Sequence, residues 1–304
     1  MMCGSLKNDA GTAVTVGTFD GVHSGHRAVL GYLKEEADRL GLRPMAFTFD
    51  RHPLEVVAPL RAPKLIIDAE ARDSLIKGCG VDVVRIEFTE EVRRKSAARW
   101  MRELKDRYGA RLLLVGYDNT FGCDGMSMTT DDFMRMGEEI GLKVEVAPKV
   151  PGCSSSAVRR AVETGDMREA ARILGRRFSL SGKVVHGREI GRTIGIPTAN
   201  LSVASHRLLP RGGVYSAVVH TPDGAWKALV NVGSCPTVSG EGTISVEAQL
   251  LDFAGNLYGR NIEISFDERL RDEKKFNGIE ELREQIMCDI EAVRAKNIAM
   301  VRRD

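Results

Sequence analysis

The first half of the chain alternates short apolar runs with segments whose apolar residues recur at helical spacing. A run rich in valine and threonine occupies residues 13–16, and Val29, Leu33, Ala37 and Leu40 then follow at intervals of three or four. Further strand-like runs lie at residues 45–49, 81–87, 112–115 and 144–146, with helical patterns such as 70–77 and 90–108 between them. This alternation predicts a mostly parallel, Rossmann-like sheet covered by helices.

The pattern changes near residues 176–178 from helical to alternating. Strand-like runs follow at residues 180–185, 214–220, 226–232, 244–250 and 262–266, with turn residues between them. Closely spaced strands without intervening helices predict an antiparallel barrel or sandwich, and Ile279, Leu282, Ile286 and Ile290 predict a terminal helix. A length of 304 residues suits two domains, which we place at residues 1–176 and 177–304.

Composition and charge narrow the possible partners. Charged residues make up 28% of the chain, but the net charge is only +2, which argues against a nucleic-acid partner. No apolar run reaches the roughly 18 residues of a membrane helix, and the N-terminus lacks a signal-peptide pattern. Six cysteines without a C-x-x-C pair suit reduced thiols. We therefore expect a cytoplasmic protein with no membrane or nucleic-acid partner.

Residues 17–26 place three glycines and two histidines between the first strand and the first helix. Glycines let a backbone approach a phosphate, and a helix start offers N–H groups to it. One histidine alone would be an ordinary capping residue, but His23 and His26 point to the same side of a helical turn. The candidate phosphate-binding residues here are Gly17, Phe19, Asp20, His23, Gly25 and His26. The P-loop pattern is excluded because its lysine is absent.

Other polar residues follow the later predicted strands of the first half. Asp118 and Asn119 follow the run at 112–115, and Ser155 and Ser156 open a helix in which Arg159 lies one turn further on. Serines cap a helix start, and an arginine there binds phosphate in a forked geometry. An ordinary capped helix is the alternative interpretation.

A second chemical segment lies in the barrel half, at residues 191–200. It contains Gly191, Arg192, Gly195, Pro197, Thr198 and Asn200. Two glycines, a rigid proline, a hydroxyl and an amide are suited to a loop that wraps a nucleotide. Thr198 and Asn200 offer the oxygen ligands that Mg²⁺ accepts when phosphates supply the rest. Taken alone, the segment would also suit a simple barrel turn.

Both segments resemble known families. His23-Ser24-Gly25-His26 resembles the H-x-G-H signature of the nucleotidylyltransferase superfamily, and the serine-rich helix ending in Arg159 looks like its second signature. Residues 191–200 are similar to the G-R-x-x-G-F-P-T-A-N loop of riboflavin kinases, with isoleucine at Ile196. Together the chain resembles the bacterial bifunctional riboflavin kinase/FAD synthetases from about residue 12 to 294.

The resemblance implies two reactions. The barrel domain would transfer the γ-phosphate of ATP to riboflavin, and the first domain would join AMP from a second ATP to the resulting FMN, giving FAD and pyrophosphate. By resemblance Glu247 is the catalytic base, and Thr198 and Asn200 hold Mg²⁺. His23 and His26 are, by resemblance, catalytic residues that hold the nucleotide phosphates and stabilise charge as pyrophosphate leaves. The remaining matched ligand-binding residues are Asp118, Asn119, Ser155, Ser156, Arg159, Asn231 and Arg271. The expected partners are these small molecules, with the protein a monomer or weak homo-oligomer.

Residues 116–122 depart from the G-x-D-F-R-F-G pattern of many family members. This departure bears on adenylyltransferase specificity more than on kinase activity. Three other hypotheses stay open: a related enzyme with another acceptor, a kinase with an inactive first domain, and a flavin-binding regulator. The riboflavin-kinase-like half argues against the first, the intact His23, His26 and Arg159 argue against the second, and the lack of a DNA-reading module argues against the third.

Overall fold

The computed structural model describes residues 11–116, 121–187, 195–235 and 243–300. The chain divides into two compact units, Met1–Ser155 and Ser156–Asp304. Asp118, Asn119, Gly191 and Arg192 lie outside the described residues.

A five-stranded parallel sheet forms the centre of the first unit, which confirms the predicted α/β class. Its strands are β1 (Thr12–Val16), β2 (Arg43–Phe49), β3 (Asp82–Ile86), β4 (Ala110–Val115) and β5 (Lys143–Val146), in the order β3-β2-β1-β4-β5. Because β1 is flanked by β2 on one side and β4 on the other, the strand order reverses beside it. Ligands of such sheets bind at the carboxyl ends of the strands near this reversal.

Helices cover both faces of the sheet. They are α1 (Ser24–Leu40), α2 (Pro53–Val57), α3 (Ala69–Gly78), α4 (Glu90–Arg93), α5 (Ala97–Tyr108) and α6 (Thr130–Ile140), with short 3₁₀ turns at Pro59–Arg61 and Gly125–Ser127. Leu30 and Leu33 of α1 and Ile76 of α3 are buried on one face, and Trp100 of α5 and Phe133 of α6 are buried on the other. These two apolar layers stabilise the sheet and thereby position the loops that follow its strands.

The pattern at residues 90–108 predicts one helix, but the structure contains two. α4 ends at Arg93, and Ser96 then begins α5 by accepting a hydrogen bond from the Arg99 amide (3.3 Å). A serine at this position satisfies an otherwise unpaired amide, so it favours a new helix start.

The second unit contains a closed antiparallel barrel, and the sandwich alternative is thereby excluded. Its strands are β6 (Ser179–Val185), β7 (Ala199–Ser202), β8 (Gly213–Thr221), β9 (Gly224–Cys235), β10 (Thr243–Leu250) and β11 (Asn261–Arg271), in the order β10-β7-β6-β11-β8-β9. The sequence pattern does not predict β7. This short strand closes the barrel because it pairs with β6 on one side and β10 on the other.

Within residues 155–187, 195–235 and 243–300, the helices that accompany the barrel are α7 (Ser155–Thr164), α8 (Met167–Leu174) and the predicted terminal helix α9 (Ile279–Ala295). α8 packs against β11, and α9 packs against β9. Apart from Ser155, α7 and α8 belong to the second unit by their contacts. The functional boundary at residues 176/177 stays a prediction.

Candidate active sites

The loop that follows β1 holds an unusual backbone. Phe19 and Val22 adopt positive φ angles of 49° and 39°, and Gly21 has a φ of 89°. Positive φ is costly for Phe and Val and persists where the surroundings fix it, often at functional sites. Both side chains are buried in the core beneath the loop, so the core fixes this conformation. The backbone is thereby preorganised before α1 begins.

His23 and His26 lie together at the start of α1. Their rings stack with centroids 3.7 Å apart, and the ring of Phe19 meets His26 edge-on at 5.3 Å. His23 caps the helix, since its Nδ1 accepts a hydrogen bond from the His26 amide (3.2 Å). An accepting Nδ1 places the proton of neutral His23 on Nε2, where it is a donor. The structure therefore brings the two predicted histidines into one cluster.

Burial sets the protonation of His26. Loss of solvent lowers the pKa of His26 well below 6.5, and the neighbouring His23 lowers it further. The buried Nδ1 of His26 has no hydrogen-bond partner among the described residues. A neutral imidazole beside a helix N-terminus gains a proton most readily when an anion arrives, because the anion offsets both causes of the shift.

The N-terminal end of α1 is suited to binding an anion. Its first turn, which the structure describes in full, contains no acidic residue. Gly25 leaves little room there, because a Cβ at this position would lie 3.1 Å from the His23 ring and 3.3 Å from the Cys153 carbonyl oxygen, and these neighbours would have to shift. The positive helix end and the two imidazoles are suited to an anion such as phosphate, whose binding here stays a prediction.

The predicted ligands Gly17 and Asp20 have structural partners in this loop. The Gly17 amide donates to the Phe47 carbonyl (3.0 Å), which extends the sheet. The buried Asp20 carboxylate accepts from the amides of Ile66 and Ile67 at 3.0 and 3.3 Å, and the Ser155 hydroxyl donates to the Asp20 carbonyl oxygen (2.9 Å). Asp20 and Ser155 thus order the segments around the histidines.

Ser156 and Arg159 lie on the first turns of α7, in the second unit. Ser156 is exposed and Arg159 is half-buried. Their predicted contacts with phosphate stay predictions.

In the barrel, Glu247 lies between two asparagines. It pairs with Asn200 of β7 on one side and with Asn231 of β9 on the other. Directly opposed residues of antiparallel strands have Cβ atoms about 5 Å apart, so the three side chains form one polar row. The Thr198 hydroxyl donates a hydrogen bond to Glu247 Oε2 (3.4 Å). Thr198, the residue directly before β7, therefore also lies beside this row. The sequence-predicted kinase residues therefore converge.

Two cavities meet beside this row. The larger, of about 260 Å³, extends from Glu247 and Thr198 to apolar residues of the barrel and α9: Ile196, Val214, Leu229, Phe276, Leu282 and Ile286. The smaller, of about 130 Å³, is lined by Pro197, Thr198, Asn256 and Tyr258, among others. Thr198 and Gln249 line both cavities. The larger cavity combines this apolar wall with charged residues, among them Glu247, Arg271 and Lys274. The smaller is lined mostly by apolar residues and has no charged one.

Two glycines permit close approach around the row. A Cβ at Gly187 would lie 2.3 Å from Asn200 Nδ2, and a Cβ at Gly233 would lie 2.2 Å from Glu273 Oε1. Any side chain at either position would displace a polar group of the site. Gly195 has a φ of 75°, a backbone conformation that favours glycine.

Arg271, predicted as a ligand-binding residue, lines the larger cavity and forms an ion pair with Asp289 of α9. Its Nε and Nη2 donate to Asp289 Oδ2 at 3.0 and 2.7 Å, and Gln285 donates to Asp289 Oδ1 at 3.0 Å. Sequence reasoning missed Asp289. The available signal was an acidic residue among the apolar positions of the terminal helix.

The donor chemistry around Glu247 is oxygen-rich and fits a hard cation. The hydroxyl of Thr198, the amide oxygen of Asn200 and the carboxylate of Glu247 are ligand types that Mg²⁺ accepts. Within the part of the chain that the structure describes, no three histidine, cysteine, aspartate or glutamate side chains group as a metal site. A cation here would therefore depend on phosphate oxygens for most of its ligands.

None of the described helices is long and apolar enough to cross a membrane.

A parallel sheet with a histidine-capped helix at its strand-order reversal and a barrel with a carboxylate in a cavity are typical of a two-site, nucleotide-dependent transferase. The FAD synthetase family model matches residues 5–160, and the riboflavin kinase family model matches residues 174–297. The chain belongs to the family of bifunctional riboflavin kinase/FMN adenylyltransferases.

Individual relatives are similar to this chain over nearly its whole length. The bifunctional riboflavin kinase/FMN adenylyltransferase of Pseudomonas fluorescens is 39% identical, over 94% of this chain and 93% of the relative. The protein of that name from Escherichia coli K12 is 34% identical, over 92% and 90%. A crystal structure titled as a macrolide-efflux protein from Streptococcus pneumoniae has a TM-score of 0.86 at 28% identity, covering 94% of this chain and 95% of that one.

Proposed function

We propose that the barrel phosphorylates riboflavin with ATP and that the α/β unit adenylylates the resulting FMN with a second ATP. The observation that carries the proposal is Glu247, held between Asn200 and Asn231 and bonded to Thr198 where two cavities meet. Glu247 lines the larger cavity, and its partner Thr198 lines both. A carboxylate in this position is suited to taking a proton from an acceptor in the larger cavity while a phosphoryl group arrives from the smaller one.

In the kinase step, the 5′-oxygen of riboflavin attacks the γ-phosphorus of ATP. The bond from that phosphorus to the bridging β–γ oxygen breaks, ADP leaves, and the hydroxyl proton passes to Glu247. The hydrogen bond from Thr198 holds the Glu247 carboxylate in place. Thr198 and Asn200 would hold Mg²⁺, which neutralises phosphate charge when bound.

The two cavities favour an assignment of substrates. The larger is lined by Val214, Leu229 and Phe276 and suits the apolar flavin ring, with its polar end at Glu247. The smaller, with Pro197 and Asn256 in its wall, would take ATP, whose γ-phosphate then reaches Thr198.

In the adenylyl step, a phosphate oxygen of FMN attacks the α-phosphorus of ATP, and pyrophosphate leaves. His23 and His26 would donate to the phosphates, while the N-terminus of α1 stabilises the charge that develops. The unpaired Nδ1 of His26 and the absence of acidic residues from the first turn of α1 support this assignment within the described residues.

The wider setting is part of the same proposal. A net charge of +2 supports small-molecule partners rather than nucleic acid. The described cysteines at positions 79, 123, 153 and 288 are free, which is typical of a reducing compartment such as the cytoplasm. We propose a monomer or weak homo-oligomer.

Labelled ATP tests both steps at once. The purified protein is incubated with riboflavin, Mg²⁺ and ATP labelled at either the α- or the γ-phosphorus, and the products are separated by chromatography. γ-Labelled ATP should label FMN and FAD, and α-labelled ATP should label FAD without labelling FMN. FMN without FAD would remove the adenylyl step, and the absence of both products would overturn the proposal.

A further inference from the structure

One buried oxygen of the barrel lacks a hydrogen-bond partner. Gln249 Oε1 is shielded from solvent and unpaired in the described part of the chain, and Gln249 Nε2 makes only a long contact of 3.5 Å to the Leu250 carbonyl. Strand β9 offers no side-chain donor there, because Leu229 stands directly opposite Gln249. Buried acceptors are nearly always paired in folded proteins, so the unpaired state of Gln249 Oε1 needs an explanation beyond the described residues.

The position of Gln249 supplies that explanation. Gln249 and Thr198 line both cavities, whereas Glu247 lines the larger one. A phosphoryl group that passes from a nucleotide in one cavity to a flavin in the other crosses between them. Side chains common to both cavities therefore lie beside the reacting groups.

We propose that Gln249 Oε1 accepts a hydrogen bond from a secondary hydroxyl of the riboflavin side chain and thereby positions the 5′-hydroxyl for phosphorylation. The inference rests on the proposed kinase function. Residues two apart on a strand project from the same face, about 6.6 Å apart. When Glu247 takes the proton of the 5′-hydroxyl, Gln249 lies within reach of the other hydroxyls of the same five-carbon chain.

The chemistry of the ligands favours the flavin side chain as the donor. An amide oxygen only accepts hydrogen bonds, and ionised phosphates have no hydrogen to donate. The ribityl hydroxyls do donate, and a hydroxyl that is shielded from solvent without a partner is costly. Such a contact selects riboflavin against flavins that share its ring but lack its hydroxyls.

A comparison of two flavins with one apolar replacement tests the proposal in the full chain. Gln249→Met keeps the length of the side chain and removes the acceptor. The rate is measured as total FMN plus FAD, with a flavin that carries a methyl group in place of the ribityl chain as competitive inhibitor. We expect the KM for riboflavin to rise about tenfold, with the KM for ATP and the inhibition constant of the methyl flavin unchanged.

A stability measurement separates this role from a structural one. Because Gln249→Met removes an unpaired polar atom, the melting temperature of the ligand-free protein should stay the same or rise. Gln249→Leu provides a second apolar replacement. Ser245→Ala is the matched control, since Ser245 lies on the same face of β10, two residues on the other side of Glu247, and should leave all constants unchanged.

The contrary outcomes are distinct. An equal rise in the riboflavin KM and in the methyl-flavin constant would assign Gln249 to the ring, and a rise in the ATP KM alone would assign it to the nucleotide; either overturns the inference. Unchanged constants in both variants overturn it while the kinase function stands. Absence of FMN from the unmodified protein would overturn the proposed function and this inference together.

Discussion

Glu247 depends on neighbours that come from separate strands. Asn200, Asn231 and Thr198 are distant from it in sequence, yet strand pairing and one hydrogen bond place them beside it. At the scale of single residues, the proposed chemistry uses Glu247 as a proton acceptor and His26 as a donor to phosphate.

Glu247→Gln tests the proton acceptor directly. The amide keeps the shape of the side chain and removes the base, whose contribution is typically about 10²–10⁴-fold. We expect almost no FMN from riboflavin, near-normal binding of riboflavin and ATP, and normal conversion of supplied FMN into FAD. Glu263→Gln, on β11, is the control and should keep full activity. Phosphorylation within a few-fold of the unmodified rate would exclude Glu247 as the base.

His26→Ala tests the other reaction. If His26 stabilises phosphate charge in the transition state, its loss should slow FAD formation from FMN by about 10²–10³-fold. Riboflavin phosphorylation should stay near normal, because the kinase residues belong to the barrel. Equal loss of both activities would indicate unfolding instead, and unchanged FAD formation would remove His26 from the mechanism.

The lowered pKa of His26 also predicts a pH dependence of stability. Below pH 6.5 the unfolded chain binds a proton at this residue while the folded chain does not. The free energy of unfolding therefore loses a contribution as the pH falls from 6.5 towards the lower pKa of the folded state. The drop in melting temperature between about pH 7.5 and about pH 5.5 should be smaller in His26→Asn than in the unmodified protein. Identical drops would contradict the buried, neutral state of His26.

At the scale of elements, α9 forms one wall of the larger cavity. It is attached to the barrel by the apolar packing of Ile290 and Val293 and by one largely buried ion pair. The Arg271 and Asp289 side chains are 17% and 8% exposed, so removing one charge leaves the other poorly solvated. We expect Asp289→Asn to lower the free energy of unfolding by about 2 kcal/mol. The KM for riboflavin should rise more than the KM for ATP, because Leu282 and Ile286 of α9 line only the larger cavity.

The exposed pair on the same helix is a suitable control for that prediction. Arg294 and Glu291 form a surface ion pair at 3.2 Å, and such pairs contribute little. Glu291→Gln should leave both KM values unchanged. An Asp289→Asn protein with unaltered stability and unaltered KM values would show that the ion pair does not hold the cavity wall.

At the scale of the whole molecule, α7 and α8 lie at the junction of the residues that the two family models match. They decide where the chain can be cut. A fragment that starts near Phe178 should fold and make FMN, because the kinase residues lie in the barrel. A fragment that starts at Ser156 should be more stable. It retains α8, which packs on β11, the 3.0 Å pair of Arg168 with Glu268, and the hydrogen bond from the Arg211 amide to the Val162 carbonyl (3.1 Å).

The melting temperatures and FMN yields of the two fragments check this prediction. Met167, Ile173 and Leu174 are buried on α8, and burying a side chain of this size contributes about 1.5–3 kcal/mol. Equal melting temperatures would mean that α7 and α8 add nothing to the barrel. A folded shorter fragment that binds riboflavin and ATP without phosphorylation would show that the kinase site needs residues before 178.

The sequence by itself determined the features that depend on short spacing. Apolar periodicity indicates the parallel sheet, the strand-rich second half and α9, since each element needs a continuous buried face. His23 and His26 are three residues apart, so one helical turn brings them together wherever the helix lies. The motif at residues 191–200 likewise carries Thr198 and Asn200 in one short segment.

Only the tertiary structure decided what depends on distant parts of the chain. β7 is too short to show a pattern of its own, and it becomes a strand because β6 and β10 supply its hydrogen-bond partners. Arg271 meets Asp289 because α9 folds back on the barrel. Whether Gln249 Oε1 has a hydrogen-bond partner depends on which residues surround it in the folded protein. Contacts of this kind follow from strand order and packing, which local periodicity does not contain.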